Sequence, residues 1–182
     1  MKFLRLLISV KSIIAIIGIT FSTQTYSQET SDNQVAVFKE WRVFVEDKPK
    51  ECWSMSRPKE SINTRDGRIV TVKRGEILLF VNFRPDDKVN GQVSFTGGYP
   101  FAEGSNVSLS INNTDGIQFD LFTEGEWAWA RSNEEDTRLI GAMKKGARAI
   151  LIARSSRGTK TQDTFSLMGF TAAIEDAEKR CK

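Results

Sequence analysis

The sequence contains no histidine among its 182 residues. A Ser-His-Asp or Cys-His catalytic apparatus requires an imidazole, so both are excluded, and so is a histidine-ligated zinc site. General acid or base chemistry would fall to carboxylates, lysine or tyrosine. We expect no metal, no cofactor and no catalytic residues.

An excess of basic charge is also missing once the N-terminal segment is set aside. The chain has 26 Lys and Arg against 23 Asp and Glu, and its net charge of +3 matches the three basic residues Lys2, Arg5 and Lys11. The remaining chain is neutral overall and shows no nucleic-acid-binding motif. A nucleic-acid partner is therefore not expected.

Long hydrophobic runs are absent apart from one near the N-terminus. Basic residues precede the run SIIAIIGIT, and a polar stretch of small residues follows it, which is the layout of a secretory signal peptide. The run is shorter than the roughly 20 residues that a membrane-spanning helix needs. We predict a signal peptide over residues 1–27, cleavage before Gln28, and an exported mature chain without a transmembrane segment.

Cysteine is scarce, with only Cys52 and Cys181 in the chain. In an exported protein an even cysteine count indicates a disulfide, and the C-x-x-C spacing of redox enzymes is missing. Closing so long a loop would stabilise the fold by about 5 kcal/mol in the chain-entropy description. We predict a structural bond that attaches the C-terminal helix to the start of the domain.

Short strand signals recur along most of the remaining chain. The polar start predicts a flexible segment over residues 28–37, and the rest predicts a single domain over residues 38–182. The pairs Asp66-Gly67 and Arg74-Gly75 indicate hairpin turns, and NNTDG indicates another. Short strands at this spacing favour a mainly-β fold, either an antiparallel β-sandwich or a barrel-like domain.

Two helices interrupt the strand pattern. Ser132 followed by Glu135 forms a capping box that opens a short internal helix, and Gly146 is its expected stop. A C-terminal helix has apolar residues at three- and four-residue intervals. The residues on this stripe are Phe170, Ala173, Ile174, Ala177 and Cys181.

Several stretches together resemble a known family. In order they are CWSMSRP, GQVSFTGGYPFAEGS, FDLFTEGEWAWA, AMKKGARAIL and DTFSLMGFTAAIEDAEKRC. They resemble the invasion-associated locus B family of bacterial envelope proteins, from about Phe38 to Cys181. The resemblance implies a β-rich domain in the periplasm or at the surface of a Gram-negative cell, and a virulence-associated role in host-cell entry. The family has no established reaction, so it supplies no catalytic residues.

The stretch FTEGEWAWA is the first candidate binding site. In an extended segment Glu124 and Glu126 would share one side, while Trp127 and Trp129 would share the other. Carboxylates beside exposed indoles suit a carbohydrate site. The alternative is that the tryptophans are core residues and the glutamates are solvated. Hydrolysis by the two acids would need a carboxyl separation of about 5 to 9 Å and one raised pKa.

Two further stretches are candidates. The glycine-rich loop FTGGYPFAEGS offers Tyr99 and Phe101 for an aromatic contact, or it is a plain hairpin connection with both rings tucked inward. The stretch RSSRGTK places Arg154 and Arg157 near a turn, where they could meet an anionic lipid headgroup or polysaccharide. The alternative for this stretch is a solvated turn.

These features predict an exported, non-enzymatic binding module whose partner is an envelope or surface protein or a glycan. Two alternatives remain open from the sequence. One is a carboxylate-using hydrolase of envelope polysaccharide, and the other is a periplasmic chaperone or assembly factor with an exposed apolar groove.

Overall fold

The computed structural model describes residues 33–112 and 117–182. The predicted signal peptide and residues 28–32 lie outside the described residues. In the described ranges no helix is both long enough and apolar enough to cross a membrane.

Strands dominate the described chain. In chain order they are β1 (Gln34–Phe38), β2 (Trp41–Asp47), β3 (Lys50–Ser56), β4 (Glu60–Arg65), β5 (Arg68–Ile69), β6 (Leu78–Arg84), β7 (Val89–Thr96), β8 (Asn106–Asn112), β9 (Gln118–Glu124), β10 (Trp127–Trp129), β11 (Arg148–Arg154) and β12 (Lys160–Ser166). Helix α1 (Asn133–Lys145) lies between β10 and β11, and helix α2 (Phe170–Arg180) follows β12.

All twelve strands belong to one antiparallel sheet, in the order β1-β2-β3-β6-β7-β10-β9-β8-β11-β12-β4-β5. The sheet curls over its own core, since the rings of Phe95 in β7 and Phe165 in β12 lie 6.1 Å apart. The Trp41 indole also donates to the Ser166 carbonyl across the core at 2.9 Å. The sheet does not close. The predicted mainly-β class with two helices is therefore confirmed.

The two-residue period of the strands separates an inner face from an outer face. In β6, Leu79, Val81 and Phe83 are buried, while the residues between them are only half-buried. Inner-face residues of all strands from β2 to β12 in the sheet order join one hydrophobic cluster. Side chains on the outer face are consequently free to form surface sites.

The structure differs from the predicted flexible segment at residues 34–37. Gln34–Phe38 is strand β1, which pairs with β2 through Phe38 and Trp41 at the hairpin end. Val35 and Val37 are exposed, while Ala36 and Phe38 pack against the core. Exposed and partly buried side chains therefore alternate along this edge strand. The polar residues around it hid this alternation in the sequence.

Of the three predicted turns, one is confirmed, one is wrong, and NNTDG lies outside the described residues except for Asn112. Arg65 pairs with Arg68 around Asp66-Gly67, as expected. By contrast, β5 and β6 do not pair, because β6 lies between β3 and β7. Residues 70–77 instead cross from one end of the sheet to its middle, and we call them the crossing segment.

A close backbone approach holds the crossing segment against the loop between β7 and β8. The Gly75 N–H donates to the Gly98 carbonyl at 2.9 Å. Gly98 has a φ of +71°, and a Cβ there would lie 2.6 Å from the Gly75 carbonyl oxygen. Glycine is required at position 98 because a side chain would collide with backbone.

Helix α1 begins as its sequence predicts. The Ser132 hydroxyl accepts from the Glu135 N–H at 3.3 Å, and the Glu135 carboxylate accepts from the Arg131 N–H at 2.8 Å. The helix ends at Gly146, whose N–H donates to the Met143 carbonyl. The glycine stop is confirmed, and so is the capping box, although its Glu135 carboxylate reaches one residue beyond the cap, to Arg131.

Helix α2 lies on the first strands of the sheet with its predicted stripe inward. Phe170 packs edge-on against Trp41, with ring centroids 4.8 Å apart. Cys181 forms a disulfide with Cys52 of β3 across a sequence separation of 129 residues. Both sulfur-bearing residues are buried. The predicted bond is confirmed, and it attaches α2 to β3.

Candidate functional site

A cleft of about 510 Å³ opens where three connections meet. They are the crossing segment, the loop over residues 97–105, and the turn over residues 155–159 between β11 and β12. We call it the arginine cleft. Its lining residues are Arg65, Val72, Lys73, Arg74, Gly98, Tyr99, Pro100, Glu126, Ser155, Ser156, Arg157, Thr159 and Thr161.

A buried ion pair forms the floor of the arginine cleft. The side chains of Arg74 and Asp163 are 6% and 0% exposed. Two parallel hydrogen bonds of 2.8 and 2.6 Å join guanidinium to carboxylate, and the Arg74 Nε–H also donates to the Gly97 carbonyl at 2.8 Å. The Ser61 hydroxyl donates to the same carboxylate at 2.6 Å. The pair fixes the crossing segment to β12 and to the loop.

Tyr99 forms one wall, and Phe101 does not reach the surface. The Tyr99 ring lies 4.9 Å from the Arg74 guanidinium, and its hydroxyl bonds Thr161 at 2.5 Å. Burial raises the pKa of the Tyr99 phenol, so it stays neutral at ordinary pH. Phe101 is 7% exposed and belongs to the core. The expectation that Phe101 offers a surface contact is therefore wrong, because its ring packs between Phe95 and Tyr99.

The remaining charges make the cleft electropositive. Within the described ranges Arg65, Lys73 and Arg157 have no ion-pair partner, whereas Arg74 is neutralised by Asp163. Glu126 is the acidic residue that lines the cleft. Cations gathered in a concave site attract anions. Arg154 is exposed at the end of β11 and does not line the cleft.

The FTEGEWAWA stretch is a hairpin rather than one extended segment. Glu124 in β9 pairs with Trp127 in β10, so the chain reverses at Gly125 and Glu126. The expectation that the two glutamates share one side is wrong for this reason. Glu126 lines the arginine cleft, while Glu124 lines a separate depression of about 400 Å³.

Trp127 and Trp129 lie on the outer face, on either side of the buried Ala128. Trp127 is 40% exposed, and its ring centroid is 6.4 Å from that of Trp129. Phe80 contacts Trp127 at 5.7 Å, and Phe122 contacts Trp129 at 5.5 Å. The interpretation of both tryptophans as core residues is wrong. We call these four rings the aromatic row.

Sequence reasoning missed the buried Asp136. This residue is 5% exposed, and its carboxylate accepts from the Val93 N–H at 2.8 Å. The acceptor is needed because β10 ends opposite Ser94, so at Val93 strand β7 is paired with β6 on one side but has no strand partner on the β10 side. Burial raises the pKa of Asp136 to about 6. Its spacing from Leu139, three residues on, already placed it on the inward face of α1.

These features define a class: a disulfide-bonded, single-core protein built on an open curled antiparallel sheet, with a cationic cleft and an aromatic outer face. The sequence profile of the Invasion associated locus B (IalB) protein family matches residues 41–178, and the chain belongs to this family. The resemblance seen in the sequence is thereby confirmed.

A structural comparison agrees on the fold. The crystal structure of invasion associated protein b from Bartonella henselae matches with a TM-score of 0.51 and 16% sequence identity. The match covers 78% of this chain and 94% of that chain. At this identity the likeness concerns the fold alone. No curated protein matches the chain.

Proposed function

We propose that this protein is an exported, non-enzymatic binding module of the Gram-negative cell envelope, which holds an anionic group of its partner in the arginine cleft. The observation that carries the proposal is the convergence of Arg65, Lys73 and Arg157, each without an ion-pair partner among the described residues, on one cleft. Guanidinium and ammonium groups bind carboxylates and phosphates through charge-assisted hydrogen bonds.

The rigidity of the cleft supports binding. The Arg74–Asp163 pair fixes two of the three connections that form the walls. The third wall is held by the Ser155 hydroxyl, which accepts from the Thr159 N–H at 3.1 Å. A site whose walls are ordered before binding loses less conformational entropy when a ligand arrives.

Export is supported by the disulfide and by family membership. Buried disulfides such as Cys52–Cys181 persist in oxidising compartments, which favours the periplasm or the cell surface. The relative from Bartonella henselae is described as invasion associated, and we extend a role in host-cell interaction to this chain as part of the proposal. The partner is then an envelope or surface protein or glycan that carries negative charge.

A non-reducing pull-down from intact envelopes tests the proposal. The oxidised protein is compared with a Lys73→Ala/Arg157→Ala variant and with a control, Arg154→Ala/Lys160→Ala, which removes the same charge outside the cleft. We expect the wild type and the control to retain a specific partner that the cleft variant loses. Capture should weaken as salt is raised. Equal capture by all three proteins would show that the cleft is not the binding site.

One observation favours a hydrolase as a second candidate. Glu124 and Asp136 line the same depression, and the Asp136 pKa of about 6 suits a general acid. Against this, Asp136 is nearly buried and already accepts a backbone N–H. Incubation with purified envelope polysaccharide, using Glu124→Gln as control, separates the two candidates. We expect no release of reducing ends by either protein. Release by the wild type alone would favour the hydrolase.

A further inference from the structure

The outer face of the sheet carries a groove that the proposed function does not use. Two depressions of about 250 and 400 Å³ lie next to each other on this face. Trp129 and Gln92 line both depressions, so Trp129 stands at their boundary. The groove exists because β10 stops at Trp129 while β7 continues past it.

Aromatic rings form one side of this groove. The aromatic row runs across the outer face, where no other described element covers Trp127. Such exposed aromatic clusters on a soluble protein generally mark a binding surface. The negative face of an aromatic ring attracts weakly positive C–H groups, and a pyranose ring presents several of these on each face.

The amide side chains in the groove retain unused hydrogen-bonding atoms. Asn82 donates through its amide nitrogen to the Ser94 hydroxyl at 2.9 Å and to the Gln92 carbonyl at 3.3 Å. The Gln92 side-chain oxygen accepts from Arg84 at 3.2 Å. Within the described chain, the Asn82 oxygen and the Gln92 amide nitrogen have no partner. An acceptor oxygen and an amide NH₂ group are therefore available for hydrogen bonding, and sugar hydroxyls both donate and accept.

The charges in the groove favour a neutral ligand. Arg84 is paired with Asp87 at 3.3 Å. The larger depression is lined by one cationic side chain, Arg131, and by two carboxyl groups, those of Glu124 and Asp136. The groove thus lacks the cationic excess of the arginine cleft, so an acidic polymer gains nothing from binding here.

We propose that this groove binds a neutral oligosaccharide, with consecutive sugar units in the two depressions and Trp129 packed against a pyranose face between them. Asn82 and Gln92 bond the sugar hydroxyls. The site is independent of the arginine cleft and does not rest on the proposed function.

Titration calorimetry of the oxidised protein with chitohexaose, cellohexaose and maltohexaose tests this site. We expect at least one saccharide to bind, and we expect Trp129→Ala to weaken that binding about tenfold or more, as removal of a central aromatic contact does. Gln92→Ala should also weaken it. Trp53→Ala is the matched control, because Trp53 stacks on Phe44 at 5.4 Å on the same face and lines neither depression.

Each other outcome overturns the proposal. Binding of none of the three saccharides at millimolar concentration, with unchanged thermal unfolding of the variants, would remove the glycan assignment. If Trp129→Ala and Trp53→Ala lowered the saccharide affinity equally, the loss would not be specific to the groove. Capture of an envelope protein that depends on Trp129 would make the groove a protein-docking surface. The Lys73→Ala/Arg157→Ala variant should bind saccharide normally, so failure of the two sites can be distinguished.

Discussion

At the scale of single residues, buried polar groups decide how this protein is assembled. Arg74, Asp163 and Asp136 are all removed from water, and each has hydrogen-bond partners in distant parts of the chain. A buried polar group without a partner is costly, so these contacts select one arrangement of the chain over its alternatives.

Loss of the Arg74 side chain should destabilise the fold severely. Arg74→Ala leaves the Asp163 carboxylate buried with its charge uncompensated, at a cost of about 3–5 kcal/mol. Urea unfolding measures the loss. The control is Arg57→Ala, which breaks the exposed Arg57–Glu76 pair and should cost less than about 1 kcal/mol. Similar losses for the two variants would contradict the structural role of Arg74.

Asp136 should make stability fall as pH rises. Its pKa is about 6 in the folded protein and 3.8 without burial, so the folded state binds the proton more tightly. Stability from this group is therefore complete below pH 3.8 and is lost as pH rises through about 6. Asp136→Asn keeps an oxygen acceptor for the Val93 N–H but does not ionise.

Unfolding by urea at several pH values checks this expectation. The free energy of unfolding of the wild type should decline relative to Asp136→Asn between those two pH values. Asp136→Ala, which also removes the acceptor, should be about 1–3 kcal/mol less stable than Asp136→Asn at every pH. Parallel pH profiles for the wild type and Asp136→Asn would show that Asp136 does not titrate in this range.

At the scale of elements, the two helices are attached by different means. Helix α1 is held by its capping box and by the Asp136 contact to β7. Helix α2 has no side-chain cap at its start and is held by its apolar stripe and by the disulfide at its end. The stability of α2 should therefore depend on whether the Cys52–Cys181 bond is oxidised or reduced, and the stability of α1 should not.

Removal of the disulfide should loosen α2 selectively. A Cys52→Ser/Cys181→Ser variant is expected to lose about 2–5 kcal/mol of unfolding free energy. In hydrogen exchange, amides of residues 170–180 should lose more protection than those of 133–145, because only α2 is attached through the bond. Uniform loss of protection in both helices would indicate that the bond stabilises the whole domain instead.

At the scale of the whole molecule, the curl of the sheet depends on contacts between segments far apart in sequence. The crossing segment connects β5, at one edge, to β6 near the middle. Its approach to the loop after β7 also builds the arginine cleft. The same packing therefore determines the overall shape and the candidate site.

The Gly75–Gly98 approach offers a test of this coupling. Gly98→Ala should lower stability strongly and disturb the cleft, because its Cβ would collide with backbone. Gly104→Ala is the control: φ there is +67°, but no atom lies within 4 Å of the added Cβ, so only the backbone cost of about 1–2 kcal/mol remains. Thermal unfolding compares the two variants. An equal fall in unfolding temperature for the two variants would show that the close Gly75–Gly98 approach does not contribute to stability.

Local patterns predicted much of the fold. The Ser132 capping box, the Asp66-Gly67 turn and the apolar stripe ending at Cys181 depend on neighbours within one or two helical turns or on a single hairpin, and all were confirmed. The Arg74-Gly75 prediction failed because the partner of Arg74 is Asp163, which is 89 residues away. The site residues were predicted less well, since Phe101 is buried and Glu124 and Glu126 face different sites.

The sequence by itself determined the strand-rich class, the two helices and the cysteine pair, because side-chain periodicity and capping act over a few residues. Only the tertiary structure decided which strands are neighbours, where the sheet curls, and which charges meet in the arginine cleft. Those features arise because segments far apart in sequence pair with and bury one another. The energy of each such contact depends on which residue a side chain or strand has as its partner. Trp129 shows the difference. That its side chain points to the opposite face from that of Ala128 follows from the local strand geometry, but which of the two faces covers the core is decided by the tertiary structure.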